Sequence, residues 1–513
     1  MENRRNSLQN RRASIERRTS CDNGKSTSPS RHKEYYKATT IPRSSAAAKA
    51  KRIAQDSQSR KLRREQLVMG KRFRHREDTP LSDRGEAEYD LTTKELEKLR
   101  EQLNSSVRVT RVEALKELSN FLVDPSEALN DFVLEGGAVD LLAKFLTSTD
   151  FDERFQATWC ITNIAAGTPE LCSKVLSTVP YLISSLEEPN SQLQEQAAWA
   201  LGNIAVEGAE FRERLTANGA ITPLVKLLKS DNPSLLQTVC FALSSLARNH
   251  TRFDEFFGAG ISKLLIQLLD RDNVPEEISE ITWVLTYLTS GDEHYSTTLL
   301  NDGLSPLLVK HMPIMADKGS LAIPLIRTVG NITSCSDWHA DSLMQQPAFL
   351  QNLIPYVKSE LRAIKKESLW VLSNITAGTP EHVNAVLENG YLQHLLEIAT
   401  HSNFDIRKEA AYSIVNIASH GQTYLSLLPH EELLPRFLDF IRTQDPETIR
   451  LGLHYVDLVL KEVPNAKALL EKVNCIDALE SVSLIEDPEL KHQAGLLMDK
   501  YYDENVEAEK EIS

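Results

Sequence analysis

An all-α solenoid of repeated three-helix units is the fold this 513-residue chain predicts, and three observations carry that prediction. One string returns seven times, as FQATWCITNIAAGTPE, EQAAWALGNIAVEGAE, QTVCFALSSLARNH, EITWVLTYLTSGDE, PLIRTVGNITSCSD, ESLWVLSNITAGTPE and EAAYSIVNIASHGQ. Its marker position falls at Trp159, Trp199, Phe241, Trp283, Arg327, Trp370 and Tyr412, in steps of 40, 42, 42, 44, 43 and 42 residues. That is the period of armadillo or HEAT repeats. From about residue 88 onward apolar residues follow helical spacing, punctuated by Gly, Pro, Asn and Asp, without strand-like alternation.

One step back from the first marker lies Lys116, and steps forward from the last reach His454 and Leu496. The array therefore predicts a right-handed superhelix of about ten repeats over residues 81–500, with atypical ends acting as caps. The motif string reads as the third helix of each repeat. Shorter apolar stretches such as GAITPLVKLLKS, AGISKLLIQLLD and NGYLQHLLEIA are expected to supply the first and second helices. Four of the five tryptophans share one register, which core packing alone does not require, whereas Trp338 falls outside it and is expected in the core.

The termini differ from the array. Residues 1–45 are rich in Arg, Ser, Thr and Asn and too poor in large apolar residues to offset the entropy of ordering, so they read as disordered. They contain R-R-x-S three times, ending at Ser7, Ser14 and Ser20, which suits a kinase preferring upstream basic residues or simply a solvated arginine tail. Residues 46–80 turn helix-forming and basic, and end on Lys71-Arg72-Phe73-Arg74 soon after Gly70. An acidic tail occupies 501–513.

The net charge of −14 conceals an opposition. Residues 1–76 hold 22 basic against 6 acidic groups, a balance of +16, while the remainder holds 36 against 66 and stands at −30. So acidic a body argues against nucleic-acid binding there; a basic arm could meet nucleic acid, an acidic membrane or the body itself. The six cysteines are scattered without metal-ligand spacing, and there is no long apolar run or signal-peptide pattern. A reducing, cytosolic or nuclear location follows, in which the sequons at Asn249, Asn331 and Asn374 stay unglycosylated. No P-loop, H-E-x-x-H or G-x-S-x-G motif is present, so an enzyme is not expected and no cofactor is implied.

The repeated residues suggest a binding face. Helix residues four apart share a side, which aligns Trp159/Asn163, Trp199/Asn203, Arg327/Asn331, Trp370/Asn374 and Tyr412/Asn416 in two ladders. Buried unpaired amides are costly, so the Asn ladder is expected to face a groove and bind the backbone of an extended peptide; the alternative is that the amides bridge adjacent repeats internally. Parallel indole walls would form slots for Lys or Arg stems. Glu280, Glu367 and Glu409, each three residues before its marker, and Glu207 near Trp199 would complete a cation site. Arg327 places a positive charge mid-row, splitting the groove in two. Helix spacing of ~8–10 Å against ~3.3–3.6 Å per extended residue gives roughly five or six peptide residues over two repeat steps. By the same measure, about ten linker residues would join two basic clusters.

This constellation resembles the importin-α (karyopherin-α) family over nearly all of residues 46–510. The resemblance implies adaptors for nuclear localisation signals that shuttle between cytoplasm and nucleus. Carried over by position, a major signal site comprises Trp159, Asn163, Gly167, Thr168, Trp199, Asn203, Glu207, Phe241, Arg248 and Glu280. A minor site comprises Arg327, Asn331, Glu367, Trp370, Asn374, Glu409, Tyr412 and Asn416. Arg60, Lys61, Arg63, Arg64, Lys71, Arg72 and Arg74 look like the importin-β-binding segment, whose basic cluster competes with cargo in the free protein. The resemblance also implies an export receptor with the GTP form of Ran at the last repeats, and no nucleic-acid or membrane partner. Phe241 and Ser245 stand where the family has Trp and Asn, Glu207 where it has Asp, and Tyr412 where it has Trp. A β-catenin-like scaffold for adhesion or signalling partners is the competing expectation; its groove would be basic and need no basic arm.

Overall fold

The computed structural model describes residues 93–502, apart from 124, 136 and 249–252. The expected basic segments over 1–45 and 46–80, with Arg60, Lys61, Arg63, Arg64, Lys71, Arg72 and Arg74, lie outside the described residues, as do Cys21, Asn249 and the tail beyond 502. Among the described residues there is no strand, and no helix is long and apolar enough to cross a membrane.

The third helices form one continuous layer. In order they are α1 (Arg108–Phe121), α2 (Phe151–Ala165), α3 (Ser191–Glu207), α4 (Pro233–Ala247), α5 (Pro275–Leu288), α6 (Ile323–Thr333), α7 (Arg362–Thr376), α8 (Phe404–Ala418), α9 (Pro446–Glu462) and α10 (Pro488–Tyr502). Each packs on the next, from α1 to α10, as an all-α armadillo-like array requires. Every marker residue lies on its third helix, and the extrapolated Lys116, His454 and Leu496 lie on α1, α9 and α10.

Local chemistry sets these boundaries. Side chains of Asp150, Asn190 and Asn232 accept hydrogen bonds from the first-turn N–H groups of α2, α3 and α4, relieving donors that a helix start leaves unpaired. Proline opens α4, α5 and α9, where its missing N–H costs nothing. Two shorter helices connect successive third helices, such as Ala209–Ala217 and Ile221–Leu227 between α3 and α4. The apolar stretches thus hold only the second helix, and the first precedes their glycine. That glycine breaks the chain in the left-handed region, with φ of 84° at Gly260 and 77° at Gly390; Asn474, at φ 52°, takes the same place ahead of Cys475–Val482.

Two expectations about burial are overturned. Trp338 is 48% exposed and edge-on to His339, so it is a surface residue rather than core; it is the second residue of the short helix Asp337–Met344, whose buried positions are His339, Ala340 and Leu343. The Asn ladder, in turn, is an internal tie. Asn163 Nδ2 donates to Ser119 O at 2.8 Å, Asn203 to Thr162 O at 3.2 Å and Asn331 to Thr286 O at 2.9 Å. Asn374 donates to Gly330 O at 3.2 Å, and Asn416 to Ser373 O at 2.8 Å. Every one of these bonds reaches the last turns of the preceding third helix. The donor therefore serves the solenoid, whereas the carboxamide oxygens of Asn203, Asn374 and Asn416 are buried without a partner.

Glycine immediately before the Asn admits the next marker ring. A Cβ at Gly330 would stand 2.2 Å from a Trp370 ring carbon, and one at Gly202 would stand 2.6 Å from the ring of Phe241. Gly330→Ala should therefore displace Trp370 and destabilise the array by about 1–3 kcal/mol, measured as a lower thermal midpoint together with a changed tryptophan emission spectrum; an unchanged midpoint and spectrum would contradict this packing.

Buried histidines make acid stability predictable. His311 Nε2 donates to Leu269 O at 2.6 Å, its Nδ1 is buried without a partner, and burial pulls its pKa down. Burial also lowers the pKa of His430, whose Nδ1 meets the Tyr455 hydroxyl at 2.9 Å, and that of His420. These groups are neutral when folded and gain protons on unfolding below about pH 6.5, so their contribution is complete above that pH and is lost as the pH falls through it. Thermal melts between pH 7.5 and 5 should decline progressively below about 6.5; a flat profile would contradict the assignment.

Candidate functional site

The marker row is assembled from helix geometry alone, and its rings do not form parallel walls. Trp159 meets Trp199 at a centroid distance of 6.4 Å and 70°, with Phe155 edge-on to Trp159 at 5.8 Å and 69°. The positive edge of one ring against the negative face of the next favours this arrangement over a parallel stack. Trp283 instead lies nearly parallel to Tyr287, one turn further along α5, at 6.1 Å and 26°. Trp199, Trp370 and Tyr412 are largely buried, and Trp159 is intermediate.

Arg327 does more than interrupt the row. Its guanidinium lies over the Trp283 ring, 5.9 Å from the centroid, and Nη2 pairs with Glu367 Oε1 at 2.8 Å. The chain thus makes, with its own arginine, the cation–π and carboxylate contacts expected for a basic ligand. One repeat on, Lys366 Nζ stands 3.6 Å from Glu409 Oε1. Two of the expected ligand-binding carboxylates therefore already face basic side chains of the neighbouring repeat. Glu280 is buried on α5, and Glu207 is the last residue of α3.

Gly167 and Thr168 lie where α2 turns into the next repeat. The Thr168 hydroxyl accepts from Leu171 N at 3.4 Å and caps Pro169–Lys174, while Thr379 caps Pro380–Glu388 in the same T-P-E context. Phe241 and Ser245 lie on α4 and Arg248 directly follows it, so repeat four keeps a ring in the row and lacks an amide bridge. Sequence reasoning passed over Phe155 and Lys366, each four residues before a marker. Reading that position from Phe155 onward gives Phe155, Glu195, Gln237, Ser279 and Ile323, and then the cations Lys366, Lys408 and Arg450. Lys408 pairs with Asp445 at 2.6 Å, and Arg450 with Asp487 at 3.2 Å and Glu489 at 3.1 Å.

Among the described residues no group of His, Cys, Asp and Glu could hold a metal ion. Five cysteines there are free thiols, and burial raises the pKa of Cys160 and Cys240 and pushes Cys475 up to about 12, far from a reactive thiolate.

Known proteins resemble this chain at three levels. The HEAT-like repeat family matches residues 152–204. An engineered protein of known crystal structure shares the fold with a TM-score of 0.71 at 24% identity, covering 80% of this chain and 99% of that one. Importin subunit alpha-9 of Arabidopsis thaliana is 30% identical over 451 residues, spanning 82% of this chain and 85% of that protein. Importin subunit alpha-2 of Oryza sativa subsp. japonica is 32% identical over 485 residues, spanning 87% and 91%. At 30–32% identity over more than four fifths of its length, the chain belongs to the importin subunit alpha family of nuclear import adaptors, which are not enzymes.

Proposed function

We propose that the third-helix face binds mono- and bipartite basic nuclear localisation signals, and that residues 46–80 link the loaded chain to importin-β. The observation that carries this reading is the row of marker rings on the third helices, Trp159, Trp199, Trp283, Trp370 and Tyr412, with the carboxylates Glu280, Glu367 and Glu409 three residues before their markers. Ring faces and carboxylates in that arrangement can select the cations and alkyl stems of an extended basic peptide. The first site takes in Trp159, Asn163, Gly167, Thr168, Trp199, Asn203, Glu207, Phe241, Arg248 and Glu280. The second takes in Arg327, Asn331, Glu367, Trp370, Asn374, Glu409, Tyr412 and Asn416.

Residues 1–76, at +16 against a body at −30, supply the ligand when no cargo is present. A tethered segment acts at an effective concentration of up to about mM, so it competes with cargo until importin-β removes it. The last repeats and the acidic tail would receive an export receptor with the GTP form of Ran, and the protein would shuttle between cytoplasm and nucleus. A scaffold for adhesion or signalling proteins would want a basic groove, which the acidic body disfavours.

A fluorescent lysine-rich peptide should bind the chain at moderate salt, and failure to bind would remove the proposal. Trp199→Ala should weaken a single-cluster peptide about threefold to thirtyfold, the range of one cation–π contact, and far more than Trp370→Ala does; the reverse order would assign the preferred site to the second half. Deleting residues 1–76 should tighten peptide binding about tenfold, and equal titration curves would exclude autoinhibition.

A further inference from the structure

Resting on the proposed peptide-binding reading, we infer that Lys366 is a built-in competitor at the second site, a specificity-determining residue that a basic ligand must displace from Glu409. Lys366 lies one turn before Trp370 on α7, hence on the same side of the helix. Its ammonium stands 3.6 Å from Glu409 Oε1 on α8, three residues before Tyr412. The cation thus reaches from the repeat of one marker ring to the carboxylate beside the next, the position assigned above to a ligand's lysine or arginine.

Two neighbouring cations behave differently, and the contrast singles out Lys366. Arg327 is held on two sides, by the Trp283 face and by the Glu367 carboxylate at 2.8 Å, with its side chain 22% exposed. It is a fixed divider. Lys366 is 38% exposed and its contact is longer than a hydrogen bond, while its partner Glu409 is only 11% exposed. A flexible, hydrated ammonium on a deep carboxylate can be exchanged for another cation. No cation occupies the equivalent position in the first half, where the residues are Phe155, Glu195, Gln237 and Ser279. A ligand entering the second half must therefore break one ion pair and accept a like charge beside it, which a ligand in the first half avoids.

The test uses the full chain and a fluorescent six-residue lysine–arginine peptide, with Trp199→Ala isolating the second site and Trp370→Ala isolating the first. In the Trp199→Ala chain, Lys366→Met should raise affinity about fivefold to tenfold, from one lost partner pair and one lost like charge, and Lys366→Arg should restore the original affinity. The gain should shrink to the like-charge part alone, about twofold, when Glu409→Gln is added. In the Trp370→Ala chain, Lys366→Met should change nothing. Unchanged or weaker binding on Lys366→Met in the Trp199→Ala chain, or a gain undiminished by Glu409→Gln, would overturn the inference while leaving the peptide-binding reading intact. Absence of peptide binding by the unmodified chain would overturn both.

Discussion

The amide bond from one third helix to the next is the contact on which this architecture turns. Side chains one helical turn from the marker donate to a carbonyl near the end of the preceding third helix, at 2.8–3.2 Å in five steps of the array. Such a bond fixes rotation as well as spacing, because a carboxamide reaches a given carbonyl from only one helix phase. With phase fixed, residues at equal register stand in columns. The columns of rings, amides and acids are therefore consequences of a structural bond made by one of the residues in them.

The periodicity and columns were legible in the sequence because a step of 40–44 residues leaves little freedom for helices that must share an apolar face. The direction of the amides was not. A sequence places Asn163 or Asn374 on a helix side but does not say how closely the next helix approaches, and that distance decided in favour of an internal bridge. Trp338 failed as a core residue for a similar reason: a lone aromatic outside the marker register is assigned to the core by composition, whereas Asp337–Met344 buries its other side. Ring orientation was equally hidden, since the approach of Trp370 and Phe241 depends on the absent side chains of Gly330 and Gly202.

The bridge also commits these asparagines to the solenoid rather than to a ligand. An amide has two kinds of hydrogen-bonding atom, and the solenoid takes the donor. At Asn203, Asn374 and Asn416 the acceptor is enclosed within the array with the rest of the amide. At the repeat-four position Ser245 carries no amide to make the bridge, while Gly202 admits the Phe241 ring against α3 just as Gly330 admits Trp370 against α6.

Net charge alone cannot direct a basic segment to one half of such a surface. Screening shortens electrostatic reach to about 8 Å at physiological salt, less than the spacing between adjacent packed helices, so the −30 of the body acts as an attraction without an address. Local pairs have to provide the address. The second half carries Lys366, Lys408 and Arg450 at a register where the first half has Phe155, Glu195, Gln237 and Ser279, and each of those cations faces a carboxylate of the next repeat. On the proposed function, a tethered +16 segment and a free cargo would meet the same asymmetry, and the half with no cation four residues before its markers is the one for which they compete.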